Sequence, residues 1–287
     1  MAVYKRTYRG YSGAITPMWS RFLVLYRFSR QTLFRSKIQT AFYVLCFFFP
    51  LLCLLGLYAN AHLSAFTFFA GRTEPLFAVD SKFFLIYLGF QASLAFILTA
   101  FIGPGLVSPD LANGALTLYL CRPISRAEYV AGKMSVLVIT LSWITWVPGI
   151  LLYIVQSSLS GLDWFVQNLF LVVGVFLGSW LWIIVLSLLA LALSAYVKWR
   201  IVAGALMLAI MFMGAGFAQA INAVLQTKQG YLLDISKLAS IIWQSLLHDT
   251  LDDIPLSPTE AWFALLAFAG SCLYLLMKKV RANEVVR

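Results

Sequence analysis

Apolar residues along this chain fall into six continuous runs, each about 20 residues long and so of membrane-crossing length. Polar and charged residues gather between them. The runs cover 38–58, 83–106, 134–155, 168–197, 201–223 and 261–277. They lack the period-2 alternation of a membrane barrel strand. In hydrocarbon only helices and closed barrels satisfy every backbone polar group. The pattern therefore predicts an all-α integral membrane protein with six transmembrane helices. The fourth run is long enough to tilt or to extend past the membrane. Only Lys198, Trp199 and Arg200 separate it from the fifth, which predicts a tight basic turn. Trp and Tyr sit near several run ends, where interface anchors collect.

Three polar segments carry their own patterns. In 19–37 the bases Arg27, Arg30 and Lys37 recur at spacings of three and seven between apolar residues. This predicts a basic amphipathic helix lying in the interface ahead of the first span. In 224–260 an apolar stretch and the acids Asp249, Asp252 and Asp253 predict short helices over one face, with a solvated acidic edge. In 103–133, Pro104 is expected to end the preceding helix, since proline cannot continue the hydrogen-bond ladder. Ser108, Pro109 and Asp110 then supply helix-start chemistry for a short helix over 110–120. Arg122-Pro123 breaks it. Ser125 with Glu128 three positions on reads as a capping box, opening a helix that runs through Gly132-Lys133 into the third span.

Composition agrees with a bilayer as the solvent. Hydrophobic residues make up 62% of the chain and charged ones 11%, against roughly 25% charged in soluble domains. Charge also sets the orientation. With the N-terminus inside and sides alternating, 17 of the 21 Lys and Arg lie inside, while 8 of the 11 acids lie outside. This is the positive-inside distribution. It predicts a multi-pass protein of the bacterial inner (plasma) membrane with both termini in the cytoplasm. Sorting by membrane side also accounts for the net charge of +10 without nucleic-acid binding.

No Asp, Glu, Lys or Arg falls inside any of the six runs. Ion-coupled carriers keep such residues despite an insertion penalty of roughly 2.5–3.5 kcal/mol each. Their absence argues against a carrier energised from within this chain. No phosphate-cradling GxxxxGK[ST], GxSxG or HExxH motif is present. His62 and His248 stand far apart in sequence and form no metal-ligand pair. Cys46, Cys53 and Cys272 lie in apolar runs and Cys121 in the inside loop, with no CxxC. The residues predict no catalytic site, no cofactor site and no metal site on this chain.

The stretch from Asp110 to Lys133 resembles the signature of type-2 ABC transporter permeases. The matching residues are Asp110, Gly114-Ala115-Leu116, Leu118, Leu120, the block Arg122-Pro123-Ile124-Ser125-Arg126, and Gly132-Lys133. The layout of an interfacial helix, six spans and an outside helical segment before the sixth is similar too. The resemblance implies the membrane permease subunit of an ATP-driven exporter. Residues 1–37 would be a cytoplasmic N-terminus with an interfacial elbow helix, and 38–287 the transmembrane domain. Loop 107–133 would be its cytoplasmic coupling segment and 224–260 its extracytoplasmic loop. The implied partners are a cytoplasmic ABC ATPase, which binds the ATP and Mg, a second copy of this permease or a related one, and membrane lipids. By position the ATPase-coupling role falls to Asp110, Asn113, Leu116, Leu120, Arg122, Arg126 and Glu128. The elbow role falls to Arg27, Arg30 and Lys37, and a second cytoplasmic contact to Lys198 and Arg200. A non-transporting scaffold subunit of a larger complex shares all of these features. The uncharged, aromatic-rich spans favour an apolar or amphipathic cargo.

Overall fold

The computed structural model describes residues 26–31, 34, 36–62, 77–114, 125–249 and 256–280. Among these, all regular structure is helical. Six helices are long and apolar enough to cross a membrane: Lys37–Ala61, Ser81–Asp110, Arg126–Ser160, Leu169–Tyr196, Arg200–Leu225 and Pro258–Lys279. They are called spans one to six below. Each contains one of the apolar runs or nearly all of it, and the chain is thus a multi-pass membrane protein. Span three starts before its apolar run because its cap starts it. Ser125 Oγ accepts from the Glu128 amide at 3.2 Å, and Glu128 Oε2 accepts from the Ser125 amide at 2.7 Å. Span six begins with the same reciprocal pair, Ser257 and Glu260, and ends on Lys278 and Lys279, which suits the helix dipole at both ends.

Consecutive spans alternate in direction, and contacts between their ends show which ends meet. Lys133 of span three pairs with Asp110 of span two. Arg200 of span five reaches Phe101 of span two. Lys279 of span six lies 5.4 Å from the Tyr196 ring at the end of span four. The helix end rich in Lys and Arg is called the basic end here, and the opposite one the far end. Span four is the hub, packing on spans two, three, five and six. Half of its apolar window is buried, against 17% for span one, so span one is peripheral.

Three spans are broken at or beside a proline, and each break is sealed from another span. Span one changes register at Cys46-Phe47, because Pro50 has no N–H for the Cys46 carbonyl. The fully buried Gln91 of span two donates to that carbonyl at 3.0 Å. Span three breaks at Thr145, ahead of Pro148, and the Tyr87 hydroxyl donates to the Thr145 carbonyl at 2.6 Å. Span two breaks at Gly103-Pro104. Its Phe101 carbonyl accepts from Gln39 at 3.2 Å and from Arg200 at 3.0 Å. An unpaired backbone group in hydrocarbon is worth several kcal/mol of destabilisation, and neighbouring side chains remove that penalty.

This corrects the expectation for Pro104. It does not end span two, which continues as a helix over Pro104–Ala112 with Pro109 inside it. Ser108, Pro109 and Asp110 accordingly lie near the end of a helix, not at the start of one. Ser194 of span four replaces the missing bonds. Its hydroxyl donates to the Pro104 carbonyl at 3.0 Å and accepts from the amides of Ser108 at 2.8 Å and Val107 at 3.2 Å. Gly103 permits the approach, since a Cβ there would lie 2.5 Å from Ala190 Cβ.

Between spans five and six the chain forms a short 3-10 turn, Gln229–Leu233, and the helix Ile235–Leu246. That helix is sunk into the bundle and does more than cover its face. Its Trp243 donates to the Gly178 carbonyl of span four at 3.1 Å and meets Trp182 edge-on at 5.8 Å. Gly178 lies nine residues below the start of span four, about 14 Å along the helix axis. Gly174 and Gly178 form the notch that admits it: a Cβ at either would lie 2.7 Å from Leu247 or Trp243. Gly178→Val should therefore unseat Trp243 and destabilise the fold by about 1–3 kcal/mol, the usual range for overpacking. Gly270→Val, in open space, should leave it unchanged. Thermal unfolding of both variants in detergent checks this.

Candidate functional site

The basic end holds the polar cluster that joins the two feet of loop 111–125. Asp110 lies at the end of span two, and Tyr129 and Lys133 lie one turn apart on span three. Lys133 Nζ stands 2.9 Å from Asp110 Oδ2, and the Tyr129 hydroxyl donates to the same oxygen at 2.9 Å. The Lys133 ammonium also lies 5.7 Å from the centre of the Tyr129 ring. The Lys133 side chain is 6% exposed and that of Asp110 18%. A pair so withdrawn from water persists only where hydrogen bonds complete it. Here the phenol completes it, and the bond fixes the end of span two against the first two turns of span three.

A second cluster fastens the same piece of span two to span four. The Ser108 hydroxyl donates to the Val197 carbonyl at 2.7 Å and lies 3.0 Å from Ser194 Oγ. Val197 opens the basic turn, which runs through Lys198 and Trp199 to Arg200, the first residue of span five. The Arg200 guanidinium lies along Gly105, where a Cβ would come within 3.3 Å of Nε. Segment 104–112 is thus tied to spans three, four and five at once. Tyr129 and Ser194 are residues that the sequence pattern did not single out, and Ser108 was read as a helix start. For Ser194 one signal was available: small polar residues inside otherwise apolar membrane helices need partners.

The expected site residues separate in space. Asp110, Arg126 and Glu128 gather at the loop's two feet, Arg126 exposed and Glu128 engaged in the capping box. Asn113 is exposed on the turn after span two, where Gly114 takes φ +65°. Leu116, Leu120 and Arg122 lie outside the described residues. Arg27 and Arg30 are exposed on a helical turn over 26–31, with Arg30 5.7 Å from the Tyr26 ring. Lys37 belongs to the first turn of span one, not to that helix. Lys198 is exposed, while Arg200 is spent on span two. The predicted basic turn is present, but one of its two cations has an internal partner.

The cluster holds no nucleophile poised beside a base, and the described residues contain no group of three metal-ligating side chains. Its chemistry is mechanical: charge-assisted hydrogen bonds that make three helix ends move together. The sequence matches no protein-family model and no curated protein.

Lys133→Met should destabilise the protein by about 3 kcal/mol, the low end for an orphaned buried charge, because Asp110 keeps some exposure. Asp110→Asn combined with Lys133→Met should recover most of that loss. Unfolding midpoints of the single and double variants give the comparison.

Proposed function

We propose that this chain is the membrane permease subunit of an ATP-driven ABC exporter of the bacterial inner membrane, moved by a separate cytoplasmic ATPase. One observation carries the reading. Both feet of loop 111–125 are stiff: the capping box begins span three rigidly at one foot, and the Asp110–Lys133–Tyr129 cluster locks the end of span two to it at the other. A partner that grips this loop displaces spans two and three as one piece, and Ser194 passes the displacement to span four. The six apolar runs within the spans contain no Asp, Glu, Lys or Arg to couple transport to an ion gradient, which favours an energy source outside the chain. The Asp110-to-Lys133 resemblance supplies the class of partner.

In this reading the chain binds no nucleotide. ATP and Mg sit on the ATPase, which docks on loop 107–133 and on the interfacial elbow helix that carries Arg27 and Arg30. Lys198 forms the smaller second contact. A second permease, identical or related, completes the translocating unit, and both termini face the cytoplasm. Mechanism reduces to differential docking. The ATPase can shift the spans only by as much as its nucleotide states differ in affinity for the loop.

Affinity purification of the tagged protein from its native membrane tests the reading. A nucleotide-binding ATPase should co-purify. Arg122→Glu with Arg126→Glu should lower its recovery at least tenfold, or leave the complex hydrolysing ATP without transport. Recovery of the intact protein with no ATPase, or full assembly and transport by the double variant, would overturn it.

A further inference from the structure

Span five has two unlike faces. Ala203, Gly204, Met207, Met211 and Ala218 are buried against the bundle. On the opposite side Ala205, Ala209, Phe212, Gly216, Gln219 and Ala223 recur at alternating spacings of four and three. That is the spacing of a seam by which one helix packs along another. Five of the six are exposed, and Ala209 is half-buried. Phe212 is 72% exposed, and a Cβ at Gly216 would meet nothing within 4 Å.

Lipid alone does not account for this face. Where span one turns outward it carries Phe48, Leu51 and Leu55, bulky side chains that fill space against acyl chains. The outward seam of span five carries four residues no larger than alanine. Small residues let two helix backbones approach, and close packing is what drives association between helices in a membrane.

Gln219 adds a polar demand at the same place. Span five has 26 residues, about 39 Å at the helical rise, against a hydrocarbon thickness of about 30 Å. Gln219 lies six residues before Leu225, the last of the span, about 9 Å along the axis, and so within the hydrocarbon. Its amide makes no hydrogen bond to any described residue. Asn222, one turn further on, is turned toward the chain instead and accepts from the Gly230 amide at 2.8 Å. An unpaired amide in lipid is satisfied by a polar group on another helix.

We infer that this seam is the interface with a second copy of this chain, two spans five packing in parallel about a two-fold axis along the membrane normal. The amide selects the occupant. Two copies in one orientation bring the same residue to the same depth, so Gln219 meets Gln219 across the axis. A carboxamide carries both donors and acceptors, so each amide satisfies the other. A partner helix that is apolar at that depth leaves Gln219 unpaired. A single polar residue in an apolar seam also fixes register and the number of helices that join. Phe212 of one copy then fills the space over Gly216 of the other. This gives the second permease of the proposed unit an identity and a face, and to that extent rests on the permease reading; the pairing itself does not.

The test uses the full chain, produced without any ATPase and reconstituted in liposomes. The photo-cross-linker p-benzoylphenylalanine replaces Phe212 or, as controls, Phe263 of span six or Leu55 of span one, both exposed. Irradiation should join two copies through position 212 at least tenfold more than through either control. Subunit counting by single-molecule photobleaching over a dilution series gives the dimer dissociation constant. Gly216→Leu and Gln219→Leu should each raise it by about tenfold. Gly270→Leu, in open space on span six, should leave it unchanged. Position 216 has room for a side chain and Gln219 bonds no described residue, so neither variant should lower thermal unfolding of the monomer in detergent. That separates loss of pairing from loss of fold. Monomers at every dilution, equal cross-linking at all three positions, or a dimer indifferent to both seam variants would overturn the inference. So would a native-membrane pull-down that returns a related permease but no second, differently tagged copy. ATPase recovery is a separate measurement: monomers here with an ATPase recovered there sink this inference alone, and dimers here with no ATPase there sink the permease reading alone.

Discussion

A helix broken inside hydrocarbon exposes carbonyls that have no water to bond, and the whole arrangement of spans one to three follows from where those carbonyls find donors. Pro50 frees the Cys46 carbonyl, and Gln91 must come to it. At the break before Pro148 Tyr87 donates to the Thr145 carbonyl, which also accepts from the Gly149 amide at 3.3 Å. The break at Gly103-Pro104 leaves the Phe101 carbonyl to Gln39 and Arg200. These bonds tie span two to spans one, three and five. Apolar burial cannot do this work in a bilayer, because lipid tails solvate leucine as well as a neighbouring helix does. Specificity falls to polar bonds and to close backbone approach, such as Gly103 on Ala190 and Gly149 between Val175 and Tyr87.

The same constraint divides span two into parts with different duties. Its first six turns, up to Ile102, supply buried Tyr87 and Gln91 to the breaks of other spans. Its last piece, 104–112, is joined to the rest across the Gly103-Pro104 break and fastened sideways to span four by Ser194 and to span three by the Asp110 cluster. A load on loop 111–125 is therefore carried into the bundle laterally as well as along span two. The far end is built on the opposite plan. There Trp243 fills a glycine notch in span four, and the fit is steric and tight.

The number of spans, their order and the Ser125–Glu128 cap were legible because they depend on local pattern: apolar length, charge placement and a three-residue spacing. The break at Pro104 was misread for a physical reason. Whether a proline ends a helix or only interrupts it depends on whether another span supplies the lost bond. Ser194 does so from about ninety residues away in the chain, which no window around Pro104 contains. Gly174 and Gly178 permit a close helix approach. Which helix approaches, the one carrying Trp243, is set by how deep residues 235–246 sink, and composition does not encode depth. At the candidate site Glu128 was legible from spacing, whereas the spacing put Asp110 at a helix start and it lies near a helix end. Tyr129 and the withdrawal of Lys133 from water were not legible, since both arise from the angle at which spans two and three meet.

One ion pair occurs among the described residues, and its position matters more than its strength. Replacing a buried pair with apolar side chains of similar volume is often neutral or stabilising, so stability alone does not account for Asp110 and Lys133. What a buried pair does that leucines cannot is enforce register. A carboxylate with a single acceptable site for the ammonium, and a phenol bonded to the same oxygen, tolerates no sliding of one helix along the other. An apolar contact slips by a residue at little penalty. If a partner grips this loop, as proposed, slippage would absorb the motion before it reached span four. The pair stands at the junction that holds the register between spans two and three.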